Sequence, residues 1–267
     1  MKRVSWFLLF IGIAASAFAQ DLFSAARDGD LDQVKNLVEK AHVGVDVLDP
    51  NHSTPLFQAI ENNQEAVCSY LIEKGARLDI VDSYGLTPLA EAINSGNADA
   101  TRLLLEKGAD YTSILNIESE GSGTPLDLAV ANICDYGLSL RNYNLKGSFL
   151  ALSALCEYDQ AHGRKQDYGR YKDNHIVAIV CDDLAGLKAI VGEGKSIESA
   201  AYFAFWVQKT DILDWLTEIG QFDPNNRASC SLLNFGQDAT YFEWADTMVD
   251  PTMKNYLSKF KRTEAKE

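Results

Sequence analysis

The stretch Thr87–Asp110, TPLAEAINSGNADATRLLLEKGAD, predicts two short helices joined by a tight turn. Threonine caps helices well, and proline suits the first helical position, where its missing N–H has no intrahelical partner in any case. Leu89, Ala92 and Ile93 then fall on one helical face. Ser95-Gly96-Asn97 breaks this helix. Ala98 to Lys107 forms a second, with Leu103, Leu104 and Leu105 toward its neighbours, and Gly108 supplies a left-handed C-terminal cap. The chain from Ala109 onward is polar and extended.

The unit recurs. Thr54-Pro55-Leu56 precedes Thr87-Pro88-Leu89 by 33 residues, and Thr124-Pro125-Leu126 follows it by 37. Gly75 and Gly108 are 33 apart, as are Ala59 and Ala92, and YLIEKGARLD at Tyr70 to Asp79 matches LLLEKGADYT at Leu103 to Thr112. Leu22 to Lys40 has the same pattern without Thr-Pro-Leu and reads as an N-terminal capping unit with a polar outer face. A helix pair of this size cannot bury its apolar face alone, so about three or more copies must stack. Ala59, Ala92 and Ala129 are small enough to let adjacent pairs approach closely.

At these residues the chain resembles the ankyrin repeat family. Gly85-x-Thr87-Pro88-Leu89 and Leu103-Leu104-Leu105-x-x-Gly108-Ala109-Asp110 carry the likeness. It implies an all-α fold: an ankyrin-repeat solenoid of stacked helix–turn–helix units, with degenerate repeats in the C-terminal half. Histidine usually follows Thr-Pro-Leu in the family, whereas Phe57, Ala90 and Asp127 stand there here. The usual Thr–His hydrogen bond is therefore absent, which implies lower local stability. His52 and Ser122 occupy positions where the family prefers a turn glycine, and Asp110 to Gly123 carries four extra residues.

Along the chain we expect a signal peptide over 1–19, N-terminal ankyrin repeats over 20–131, an irregular helical insertion and loop over 132–175, divergent ankyrin-like helical repeats over 176–260 and a flexible tail over 261–267. Ala178 to Gly194 parallels the first unit, and Ala200 to Gly220 contains a helix, a polar turn, a helix and a glycine cap. Ser231 to Val249 reads as a further degenerate unit, with a final helix over Pro251 to Lys259. Within the insertion, Ser148 to Gln160 predicts a helix burying Leu150, Leu152, Leu155 and Cys156.

Lys2 and Arg3, the apolar run Val4 to Phe18 and the small-x-small triplet Ala17-Phe18-Ala19 have the form of a secretory leader, too short for a membrane span. We therefore expect a periplasmic or secreted mature chain of 248 residues without a membrane span. The formal charge of −14, or −16 once Lys2 and Arg3 are removed, repels phosphate backbones and argues against nucleic acid as a partner. The five cysteines (Cys68, Cys134, Cys156, Cys181, Cys230) are widely spaced and lack a CxxC, so they read as small buried apolar residues rather than as a disulfide framework.

No catalytic, cofactor or metal site is predicted. His42, His52, His162 and His175 form no ligand pair, and GxSxG, GxGxxG and phosphate-cradling motifs are missing. Asp182-Asp183 reads as a solvated turn, and Arg164, Lys165, Arg170 and Lys172 as a solvated basic loop. Eighteen of the 27 aromatic residues follow Cys134, and the group Tyr202, Phe203, Phe205, Trp206 and Trp215 has helical spacing, as core residues do.

The resemblance implies binding of an unidentified protein partner through the extended segments, or fingers, and the first helices. Position by position this surface falls on Leu48, Asn51 and Ser53 in one finger and Val81, Ser83, Tyr84 and Leu86 in the next. Glu61 and Asn62, then Asn94 and Ser95, come from the first helices. The expectation is a non-catalytic interaction module or scaffold, monomeric outside its complex. The alternative is an exported enzyme or glycan-binding protein whose aromatic C-terminal half is the active domain.

Overall fold

A computed structural model describes residues 17–117, 121–134, 145–163, 174–195, 197, 200–225, 227–228, 239–248 and 251–262. Residues 1–16 of the expected leader and the basic residues Arg164, Lys165, Arg170 and Lys172 lie outside them. The chain divides into two compact units between Tyr158 and Asp159, inside a helix.

The first unit begins with α1 (17–28) and α2 (Leu31–Lys35), which continues as a π-helical turn over Asn36–Lys40. Two helix pairs follow: α3 (Pro55–Glu61) with α4 (Glu65–Glu73), and α5 (Pro88–Asn94) with α6 (Ala98–Glu106). A hairpin of β1 (Leu115–Ile117) and β2 (Gly121–Gly123) then leads to α7 (Pro125–Cys134) and α8 (Leu145–Ala161). The four extra residues of the third finger are thus accommodated as an antiparallel ladder.

First helices pack on first helices, α3 against α5 and α5 against α7, while α4 packs on α2 and α6. This is an all-α ankyrin-type solenoid, and Leu56, Ile60, Leu71, Leu89, Ile93, Leu104 and Leu105 form its fully buried core. Amide side chains tie neighbouring pairs. Gln64 Nε2 donates to Arg27 O at 2.9 Å, Asn97 Nδ2 to Ile60 O at 3.0 Å and Asn132 Nδ2 to Ile93 O at 3.4 Å.

One backbone device ends the first helix of nearly every pair. Gly29, Asn63, Gly96, Asp182 and Gln208 all have left-handed φ, between 56° and 77°. The next N–H reaches back to an alanine carbonyl each time: Asp30 to Ala25, Gln64 to Ala59, Asn97 to Ala92, Asp183 to Ala178 and Lys209 to Ala204, at 2.7–3.0 Å. This is the Schellman closure of a helix end. It recurs with alanine in both compact units, so the later helix pairs share this turn with the earlier ones. Asp182-Asp183 is part of this turn, and Asp183 Oδ1 accepts from Gly186 N at 2.8 Å.

The second helices α4, α6, α10 (Leu184–Gly192) and α12 (Thr210–Glu218) are nine residues each, and Gly75, Gly108, Gly194 and Gly220 cap them with left-handed φ. These caps lie twelve residues after the preceding left-handed turn. The first pair needs thirteen, from Gly29 to His42. Its π-helical turn takes up the additional residue.

In the second unit α9 (His175–Val180) packs on α10 and on α11 (Ala200–Trp206), and α11 packs on α12. Gly194 and Gly220 are 26 residues apart rather than 33, so the segment between these pairs has no room for a finger. A ladder of β3 (Arg227–Ala228) with β4 (Ala239–Thr240) precedes α13 (Tyr241–Thr247) and α14 (Thr252–Leu257). Much of Ser231 to Val249, expected as a further repeat, lies outside the described residues.

Two expectations are corrected. Cys156 and Cys181 are disulfide-bonded rather than merely small core residues, while Cys68 is a free, buried thiol. In α8, Leu152, Leu155 and Cys156 are buried as expected, but Leu150 is half-exposed.

Candidate partner-binding surface

The fingers of the first unit owe their shape to aspartates. Asp49 Oδ1 accepts from the N–H groups of Asn51 (2.8 Å) and Ser53 (2.9 Å), and Asp82 Oδ1 from those of Tyr84 and Leu86 (both 2.9 Å). A side chain that hydrogen-bonds its own downstream backbone fixes a tight turn without help from a sheet. Ser83 N donates to Asn51 O at 2.8 Å, so the two finger tips are joined side by side.

This scaffold sorts the predicted surface residues by register. Leu48 and Val81 hold equivalent positions and are 53% and 51% exposed. Tyr84 is 58% exposed, and Asn51 and Ser83 beside it are exposed. On the first helices, Glu61, Asn62 and Asn94 are exposed and Ser95 is partly so. Ser53 and Leu86 are not on this surface: both are buried. They share one repeat position, the residue just before the helix cap, where the finger turns back into the stack and its side chain points inward. One error of register therefore accounts for both.

Sequence reasoning missed Ile114, which is 70% exposed. The signal was available, since Ile114 follows Val81 by the same 33 residues that separate Val81 from Leu48. Leu48, Val81 and Ile114 form a periodic row of aliphatic side chains along the finger edge, with Tyr84 in the middle finger. An exposed apolar residue repeated at one register position marks an interaction surface more often than scattered single residues do.

Acidic groups border this row. Glu91, half-buried on α5, was also missed. Burial pushes its carboxyl up to about 7, and repulsion from Glu61 and Asp82 adds to the effect against an opposing hydrogen bond from Asn94. Asp82 is likewise pushed up by burial, with Asp49 contributing, although its backbone hydrogen bonds pull the other way. Asp49, Glu61, Asp82 and Glu91 thus belong to one electrostatic neighbourhood. Asp110 behaves differently: hydrogen bonds from Ser113 and Thr112 hold it down to about 2. Arg77 lies nearby, but its guanidinium forks onto Asp79 at 3.0 and 3.1 Å.

Residues 22–114 match the family model for ankyrin repeats (3 copies). This stretch of the chain consists of ankyrin repeats. It is similar to part of the palmitoyltransferase akr1 of Schizosaccharomyces pombe, 42% identical over 55 residues covering 21% of this chain and 9% of that protein. It is also similar to the human ankyrin repeat domain-containing protein 39, 40% identical over 62 residues covering 22% of this chain and 32% of that protein. The chain therefore spans a third or less of either relative, and the likeness falls on repeats alone.

Among the described residues, most aromatic side chains of the second unit pack on one another, while Trp206 and Trp215 are only partly buried. Tyr202, Phe203, Phe205, Phe222 and Tyr241 are buried. Phe205 and Phe222 meet Tyr241 at centroid distances of 5.0 and 4.9 Å, and Trp244 stands edge-on to Tyr202 at 5.1 Å. These are the geometries of a packed core, in which aromatic pairs prefer edge contacts. Among the described residues no three His, Cys, Asp or Glu side chains converge as a metal set, and no helix is long and apolar enough to cross a membrane.

Proposed function

We propose that this chain is a non-catalytic protein-binding module that works in the periplasm or another exported space and engages its partner through the finger surface of its first unit. Ankyrin repeats generally mediate protein–protein interaction, and one observation carries the reading to particular residues: Leu48, Val81 and Tyr84 are exposed at repeated register on joined fingers. The leader-like N-terminus supports export. So do the disulfide bonds at Cys156 and Cys181, because disulfides persist mainly in oxidising compartments. Of the five aromatic residues that would line a glycan or substrate groove, Tyr202, Phe203 and Phe205 are buried and Trp206 and Trp215 partly so, which favours the binding reading over the enzyme one.

The test is in-cell crosslinking of the full-length chain, with a Leu48→Ser/Val81→Ser/Tyr84→Ala variant beside it. A crosslinked protein present with the wild type and lost with the variant is the expected result. The same partner retained by the variant would move the binding site elsewhere. Mass spectrometry of the protein recovered from outside the cytoplasm tests export, with Gln20 expected as its first residue.

A further inference from the structure

The apolar row and its charge surroundings together select the chemistry of an occupant. Leu48, Val81 and Ile114 offer aliphatic area at equal repeat spacing, and Tyr84 adds a rigid ring with a polar tip. An exposed row of this kind is complete only when covered, and three classes of cover are conceivable: a second copy of this chain, an acidic or neutral segment, or a basic one. A second copy brings a formal charge of −14 against −14, and its own finger carboxylates would face those of the first. An acidic segment meets the same repulsion from Asp49, Asp82, Glu61 and Glu91. The single basic side chain of the middle finger, Arg77, is held by Asp79.

We infer that the row is a docking surface for a partner segment in which lysine or arginine alternates with apolar residues. Its aliphatic side chains would lie along Leu48, Val81 and Ile114, and its cationic groups would reach toward Glu61 and Glu91. The apolar part gives affinity through burial, and the charges give selection and encounter rate. Glu61 supplies the standing charge that a partner can use, because Asp49 and Asp82 are committed to the finger backbone, and Glu91, pushed up to about 7 by burial, gains its full charge when a cation approaches.

This inference rests on the protein-binding reading and narrows it, and its test separates the two. Three fluorescent twelve-residue peptides are titrated into the full chain by anisotropy: alternating Leu/Lys, alternating Leu/Glu and alternating Ser/Lys. The Leu/Lys peptide should bind at least tenfold more tightly than either of the others. Leu48→Ser/Val81→Ser/Ile114→Ser should weaken it tenfold or more, and Glu61→Gln/Glu91→Gln should weaken it and reduce its salt dependence. All five positions lie outside the fully buried core, and circular dichroism checks that each variant folds.

Equal binding of Leu/Glu, lost in the serine variant, would overturn the cationic assignment and leave the surface as a protein-binding site. Equal binding of Ser/Lys, indifferent to the serine variant, would reduce the effect to general attraction by an acidic chain. A concentration-dependent dimer in sedimentation, abolished by the serine substitutions, would make the occupant a second copy. Absence of binding by all three peptides would overturn the inference, while the crosslinking result would stand or fall independently.

Discussion

At the scale of single residues, the departures from the repeat pattern have readable costs. Thr87 caps α5 by accepting from Ala90 N at 3.2 Å, and Thr124 exchanges hydrogen bonds with Asp127. Thr54 has the same position but a different neighbour. Phe57 offers no polar side chain and gives its N–H to the Thr54 carbonyl, so Thr54 Oγ1 is buried with no hydrogen-bond partner. A buried unsatisfied hydroxyl costs about 1–3 kcal/mol. Thr54→Val should therefore raise stability by about 1 kcal/mol in urea denaturation, whereas Thr87→Val should lower it by about 1 kcal/mol through loss of a cap; destabilisation by both would refute the distinction. Glu91 gives a second test. Its carboxyl has an ordinary value of 4.5 and is pushed up to about 7 in the folded chain, so the folded state favours the protonated form. The associated stability is fully present below pH 4.5 and is lost as pH rises through 7. Glu91→Gln should match the wild type at pH 4 and exceed it by about 2–3 kcal/mol at pH 8. A constant difference across that range would show that the carboxyl does not titrate as described.

At the scale of elements, the pairs α3–α4 and α5–α6 were legible because their punctuation is chemical. Thr-Pro starts the first helix, a glycine cap ends the second, and leucines mark the buried face. The turn between the helices carries a glycine only at Gly29 and Gly96. Elsewhere Asn63, Asp182 and Gln208 adopt the left-handed conformation, so no single residue type signals it. The exception is α7. By register from Ala129, Ile133 stands where those residues turn, and a β-branched side chain resists left-handed φ. The helix instead runs on to Cys134. Gly96 has a further constraint, since a Cβ there would lie 2.9 Å from the Gly147 carbonyl carbon of α8. Next to it, Asn97 does two things: Oδ1 caps α6 by accepting from Ala100 N at 2.9 Å, and Nδ2 reaches Ile60 O in the preceding pair. Asn97→Ala should lose both and cost about 2–4 kcal/mol, while Asn97→Asp keeps the cap, loses the donor and sets a carboxylate against a carbonyl. If Asn97→Asp were as stable as the wild type in thermal melts, the bond between neighbouring pairs would carry no weight.

At the scale of the whole molecule, the division between legible and hidden follows the range of the interactions. The 33-residue period is local, so it showed in the sequence. The 26-residue interval of the second unit was obscured because its helices keep the internal spacing while the finger is missing. The disulfides were hidden altogether, since wide cysteine spacing says nothing about which sulfurs meet in space. They make the two parts of the chain chemically unequal. Residues 55–106 contain one cysteine, Cys68, whose thiol is buried and pushed up to about 12. Attack on a disulfide requires a thiolate, so Cys68 is inert toward the others near neutral pH. Cys156 lies in α8, and Cys181 follows α9. Loss of a disulfide costs a typical domain about 2–4 kcal/mol. Reductant should therefore speed amide hydrogen exchange over 150–163 and 177–195 by about tenfold or more, while leaving α3 to α6 unchanged, because the solenoid there is held by leucine packing and amide bonds between neighbours. Exchange measured by mass spectrometry with and without reductant decides the matter: an equal increase throughout the chain would mean that the finger-bearing repeats depend on the disulfides for their stability, and that the binding surface cannot persist in a reducing compartment.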